Sequence, residues 1–191
     1  MSKRIIQTLL FLFLIFLLIC ISACEKTYSG KVIDADTKEP IEGAVVVVSW
    51  LKARATLAGD DTSFYDVKET LTDKEGRWTI KGHEDNCNKI IPGALHLIGI
   101  SCIREPYFIV FKPGYCSLPK GYGVNACKTM RRYSDSTGNI AELPKLTNKE
   151  DRAKVIPGSI HGVNAWKKQK EFIKMINKER KYQGWEEIKQ Y

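Results

Sequence analysis

The sequence predicts an all-β protein, a seven-stranded antiparallel β-sandwich, followed by a C-terminal amphipathic helix. Three observations predict it. Apolar runs between residues 26 and 146 are short and are punctuated by Gly, Pro and Asp. No amphipathic helical repeat separates those runs. Only beyond Leu146 does the apolar spacing change to the period of a helix. At 191 residues, 43% of them hydrophobic and 27% charged, the chain is long enough for one such domain with an extension at each end.

The first extension is "MSKRIIQTLLFLFLIFLLICISAC", which has the three parts of an export signal. Lys3 and Arg4 open it, Ile5 to Ile19 form its apolar stretch, and Ser22-Ala23 supply small residues for cleavage. The tetrad Ile21-Ser22-Ala23-Cys24 resembles the lipobox of bacterial lipoproteins. That resemblance implies a signal peptide over residues 1–23, with Cys24 acylated as the mature N-terminus. A permanent membrane-spanning helix is the alternative, since Ile5 to Ala23 is about long enough to cross roughly 30 Å of hydrocarbon. Small residues flank the cysteine, however, and no basic stop-transfer cluster follows it. Glu25 stands where an aspartate is the usual inner-membrane retention signal, so the same resemblance implies the outer membrane of a Gram-negative envelope, facing the periplasm.

The first strand is "TYSGKVIDA", residues 27–35, with Tyr28, Gly30 and Val32 on one face. Asp36 to Pro40 then supply turn chemistry, because Asp bonds its own backbone onward and Pro has no N–H to give a ladder. "GAVVVVSWL", residues 43–51, is the second strand. In "ETLTDKEGRWTIKG", residues 69–82, the turn Asp73-Lys74-Glu75-Gly76 separates two alternating segments, and Gly76 suits a positive φ. Trp78 and Ile80 face one way there, with Arg77, Thr79 and Lys81 facing the other. "PYFIVF", residues 106–111, ends at the turn "KPGY", residues 112–115, and "GNIAELPKL", residues 138–146, forms the closing strand.

Four of these blocks together resemble the carboxypeptidase regulatory-like domain. They are Gly30-x-Val32, Pro40-Ile41-x-Gly43-Ala44-x-Val46, Thr72-Asp73-x-x-Gly76-Arg77-Trp78-x-Ile80 and Lys112-Pro113-Gly114-Tyr115. The resemblance covers residues 26 to 146 within a domain taken as 24–146. It implies an Ig-like, prealbumin-like sandwich that serves as a structural, carbohydrate-binding or protein-binding module, with no catalytic role of its own. An accessory or inhibitory subunit of a secreted hydrolase is the alternative function. The cysteine-bounded stretch between Lys81 and Tyr107, and "CSLPKGYGVNAC" after the KPGY turn, depart from the simplest family pattern.

Cys87, Cys102, Cys116 and Cys127 make an even set in a chain bound for an oxidising compartment, so two disulfides are expected. Three pairings are open; local closure favours Cys87 with Cys102 and Cys116 with Cys127. A zinc site would need closer ligands than these: no C-x-x-C spacing occurs, and His83, His96 and His161 are scattered. In "GHEDNC" the run His83-Glu84-Asp85-Cys87 reads as a charged loop ending in a disulfide. Asp60-Asp61 lacks the spacing of an EF-hand and reads as a solvated turn. No cofactor, metal or catalytic set is expected. Trp50 and Tyr115 are the aromatics expected to bind a partner, an envelope protein or glycan, while Trp78 is expected in the core.

Charge excludes one further class. Residues 24–144 carry 16 Lys+Arg against 16 Asp+Glu, whereas residues 145–191 carry 12 against 6. The folded body therefore offers no basic nucleic-acid surface, although "KGYGVNACKTMRRY" mixes basic and aromatic residues. The surplus belongs to the segment 147–191, read as a polar linker followed by a basic helix from Asn164 to Gly184. Ala165, Trp166, Phe172, Ile173 and Ile176 share one stripe of that helix; Lys167, Lys170, Lys174, Lys178 and Lys181 crowd the other side. The helix is expected to dock on the two strands that are apolar on both faces, around Val45–Val48 and Tyr107–Val110, to lie on an anionic membrane, or to enter a partner's groove.

Overall fold

The computed structural model describes residues 25–56, 59–87, 101–119, 123–135, 138–158 and 165–189. Cys24 and the leader lie outside the described residues, as do His96 and His161. Among the described residues the protein is mostly β, in two sheets, with two α-helices near its C-terminus. The strands are β1 (Glu25–Asp34), β2 (Val45–Thr56), β3 (Gly59–Leu71), β4 (Arg77–His83), β5 (Ser101–Ile103), β6 (Tyr107–Phe111), β7 (Arg131–Asp135) and β8 (Gly138–Leu143). The helices are α1 (Lys149–Lys154) and α2 (Lys170–Gln183).

One sheet has the order β4-β1-β8-β7. In the other, β2 is central: β3 lies along one side, and the other side is shared by β6, opposite Val45–Ser49, and β5, opposite Lys52–Arg54. Eight strands are thus described where seven are expected from sequence, and one pair departs from the antiparallel expectation: β8 runs parallel to β1. Parallel neighbours need a long connection, and more than a hundred residues separate these two in the chain.

The inward faces follow the alternation of the sequence. Tyr28 and Val32 of β1 are buried, as are Trp78 and Ile80 of β4. With Ala141 from β8 they form one core with Val46, Val48 and Trp50 of β2 and Val110 of β6, so the two sheets share an interior. The corners are built from turn chemistry. Asp34 accepts from the N–H groups of Asp36 and Thr37, and Asp73 accepts from Glu75 and Arg77. Gly76 takes φ +72° against the Val32 carbonyl, where a Cβ would collide. Thr72 ties the crossing into β2, its hydroxyl donating to the Ile41 carbonyl at 2.6 Å and accepting from the Ala44 N–H at 2.8 Å.

The odd-numbered valines of β2 face the other way. Val45 and Val47 meet Val67, Ile109 and Phe111 beneath Ala165, Phe172, Met175 and Ile176. Burying Phe172, Met175 and Ile176 contributes roughly 1.5–3 kcal/mol for each side chain, and this seam covers the second apolar face of β2 and β6.

The tail differs from the sequence expectation in two places. Residues 149–154 form α1, capped by the Asn148 side chain accepting from the Glu150 N–H at 2.8 Å. The main helix begins at Lys170, after Ala165 and Trp166, which are helical, and a turn at Lys167 and Lys168 that interrupts the helix. Its first amides explain that start: Glu171 and Phe172 donate to the Glu69 carboxylate of β3 at 2.8 and 2.9 Å. The cap comes from another element, so local sequence did not reveal it. At the other end Gly184 adopts the left-handed conformation, φ 82°, that closes a helix.

Candidate functional site

The cysteines come together as two disulfides, Cys87–Cys102 and Cys116–Cys127. The first ties the segment after β4 to β5, and the second closes the 3-10 helix Asn125–Thr129 against the segment after KPGY. Among the described residues no group of His, Cys, Asp and Glu has the arrangement to hold a metal ion. Within "GHEDNC", Cys87 is in a disulfide and His83 turns to Asp66. Asp60 and Asp61 lie on β3 opposite Ala55 and Arg54 rather than in a turn, because the β2–β3 ladder continues to its tip.

Trp50 is not placed to stack on a ligand. Its ring is fully buried in the shared core, and its indole N–H donates to the His83 carbonyl at 2.9 Å. Even-numbered positions of β2 face that core, and Gly82 on β4 leaves space where a Cβ would collide with the indole. Tyr115 is half-buried and engaged with Asp34. Burial, then the Asp34 carboxylate, raise its phenol above the ordinary value, so it stays a protonated donor. Burial also acts to raise Asp34, but the Thr37 and Asp36 amides and the Tyr115 hydroxyl outweigh it and hold that carboxyl low. Tyr115 therefore secures a corner.

Two polar clusters attach the tail to the body. Just ahead of α2, Lys168 donates to Asp66 at 2.6 Å, and His83 contacts the other carboxylate oxygen at 3.1 Å. The rings of Trp50 and Tyr65 meet the His83 imidazole edge-on, with centroids 5.3 and 4.8 Å away. Burial acts to raise the Asp66 carboxyl, and the Lys168 and His83 contacts overcome it to leave the group below its ordinary value. Further on, Glu179 lies on the buried side of α2 at 1% exposure. Arg152 of α1 grips it with two bonds of 2.8 Å, and the Gly114 N–H of the KPGY turn donates to it at 3.1 Å. The same guanidinium lies 3.6 Å from the centroid of the Tyr182 ring. The turn singled out in the sequence thus serves as a socket for the tail.

What this attachment presents is a groove of about 610 Å³ along the outside of α2. Lys170, Lys174, Lys178 and Lys181 line it from the helix, and Glu187 and Ile188 from the chain beyond Gly184. Asn177 holds that returning chain by both polar atoms, accepting from the Ile188 N–H at 2.8 Å and donating to its carbonyl at 3.0 Å. Burial, and then the Lys178 charge, lower the Lys112 ammonium, which sits beside the Glu42 carbonyl at 2.6 Å. The helical wheel already separated the lysines from the apolar stripe. It also carried an unread signal: Glu179 follows Phe172 and Ile176 at i+7 and i+3, a carboxylate in the middle of the apolar face.

No protein-family model matches the chain, and no curated protein matches it. A solved structure, the dioxygenase domain of a dioxygenase carbohydrate-binding protein fusion from the cellulolytic bacterium Streptomyces sp. SirexAA-E, is similar at 21% identity. The likeness covers 66% of this chain and 80% of that one with a TM-score of 0.28, and at that score it carries no argument about activity.

Proposed function

We propose that the chain is a lipid-anchored lipoprotein of a bacterial cell envelope, attached through Cys24, whose folded part is a non-enzymatic binding or structural module of the carboxypeptidase regulatory-like, prealbumin-like kind. Its place is the outer membrane, on the periplasmic side. The leader and its small-residue site before Cys24 support the anchor. The two disulfides suit an oxidising compartment.

The observation that carries the binding role is the fixed tail. An apolar seam holds α2 against the sheet and a buried ion pair ties it to α1, so the lysines that line the groove project from a helix fixed in place. The clustered polar side chains elsewhere, Asp66 with His83 and Lys168, and Arg152 with Glu179, are used in attaching the tail. The anchor is tested by labelling cells with a fatty acid and isolating the protein. Label on the protein, lost in Cys24→Ser, is expected. An intact Met1 peptide and an unmodified Cys24 overturn the reading.

A further inference from the structure

Helical geometry places the lysines of α2 together. At about 100° per residue, Lys170, Lys174, Lys178 and Lys181 fall within roughly 80° of one another, nearly opposite the buried Phe172, Met175, Ile176 and Glu179. At about 1.5 Å per residue the stripe is roughly 16 Å long. All four side chains are exposed. Glu171 pairs with Lys174 at 3.5 Å, and Glu187 lies across the groove. No carboxylate pairs with Lys170, Lys178 or Lys181 among the described residues. Four like charges with one paired carboxylate leave a positive excess on this face, which an anion would relieve.

The neighbouring surface indicates which anion. Tyr182 and Trp185, 46% and 45% exposed, follow the last lysine of the stripe in the chain, Tyr182 with Arg152 3.6 Å from its ring centroid and Trp185 with Arg180 at 5.6 Å. Aromatics beside lysines are the composition of surfaces at the level of lipid headgroups. A protein partner would be expected to meet an apolar interface centre, but the apolar face of α2 is already used in the seam.

We propose that the outer face of α2, with the neighbouring Lys112, docks on the phosphate headgroups of an anionic bilayer. This rests on the reading that the protein works at a membrane, and it adds a second contact to the lipid at Cys24: the lipid tethers, and the stripe sets how the body lies. The apolar face of the helix takes no part, so the contact is electrostatic and lies in the plane of the surface.

The test uses residues 25–191, which contain every described element and both disulfides and lack Cys24, so its outcome is independent of acylation. The protein is sedimented with vesicles of phosphatidylcholine alone or mixed with phosphatidylglycerol. Retention on the mixed vesicles only, reversed by salt, is expected. Replacing Lys174→Gln with Lys178→Gln should weaken it about 25-fold, at about fivefold per lysine, with an unchanged thermal melt. Equal retention on both vesicles, no retention, or an unaffected double variant overturns the proposal. Tight binding of inorganic polyphosphate without retention on vesicles also overturns it, assigning the stripe to a soluble phosphate.

Discussion

Replacing Arg152→Ala should destabilise the protein far more than an ordinary surface change, because of what it leaves behind. Glu179 is 1% exposed and receives two guanidinium bonds of 2.8 Å, one backbone N–H at 3.1 Å and the Gln183 amide at 3.4 Å. Without Arg152 the carboxylate keeps only the two weaker donors and has no compensating charge. Removing one partner of such a buried pair costs about 3–5 kcal/mol, of which the lost stacking on Tyr182 is a part. For a chain of this size that is a fall of roughly 6–20 °C in Tm. The assay is urea unfolding followed by tryptophan fluorescence, with limited proteolysis of the tail. Arg152→Met combined with Glu179→Leu should recover most of the loss, since an apolar pair of similar volume strands no charge. A cost for Arg152→Ala below about 1 kcal/mol, the range of an exposed pair, would refute the reasoning. So would a double variant whose loss equals the sum of the two single ones.

Three further outcomes are expected. Gly82→Ala places a Cβ against the Trp50 indole and should cost about 1–3 kcal/mol, with a shifted tryptophan emission; an unchanged spectrum and melt would contradict the packing. The Asp66 carboxyl is held below its ordinary value in the folded protein, so its stabilisation is complete above the unfolded value of about 3.9 and is lost as pH falls below that. Urea midpoints measured from about pH 5 down to about pH 3 should therefore fall less steeply in Asp66→Asn than in the parent, with Asp34 contributing to the remaining slope. Opening Cys116–Cys127 by Cys116→Ala with Cys127→Ala releases a closure of 11 residues and should cost about 3 kcal/mol in the chain-entropy account. Peptide mapping without reductant should recover Cys87 linked to Cys102 and Cys116 linked to Cys127.

Much of the β architecture was legible because period-2 alternation is a local signal. Tyr28 and Val32, or Trp78 and Ile80, show their inward face without reference to any other strand. The valines of β2 were informative for the opposite reason: apolar on both faces, they implied a second covering layer, and α2 is that layer. What depends on distant partners was not legible. The start of α2 at Lys170 is set by Glu69, about a hundred residues earlier in the chain, while Asn164, the cap expected from the sequence, lies outside the described residues. Position on the sheet is likewise non-local, so the last strand was expected to close the fold but sits between β1 and β7. Trp50 looked like a binding aromatic because the space that accepts it is a missing side chain, that of Gly82 on β4. At the tail the lysine stripe could be read from spacing alone, whereas the grip of Arg152 on Glu179 needed α1 and the KPGY turn to be brought together.

The tail helix lies with its apolar side on β2, β3 and β6 and its lysines outward. Amide hydrogen exchange on the full chain tests it most directly. Amides from Ile173 to Glu179 should exchange slowly, in step with those of β2, and Arg152→Ala should speed them selectively. Exchange of that segment at the rate of a free peptide, while β2 stays protected, would contradict it.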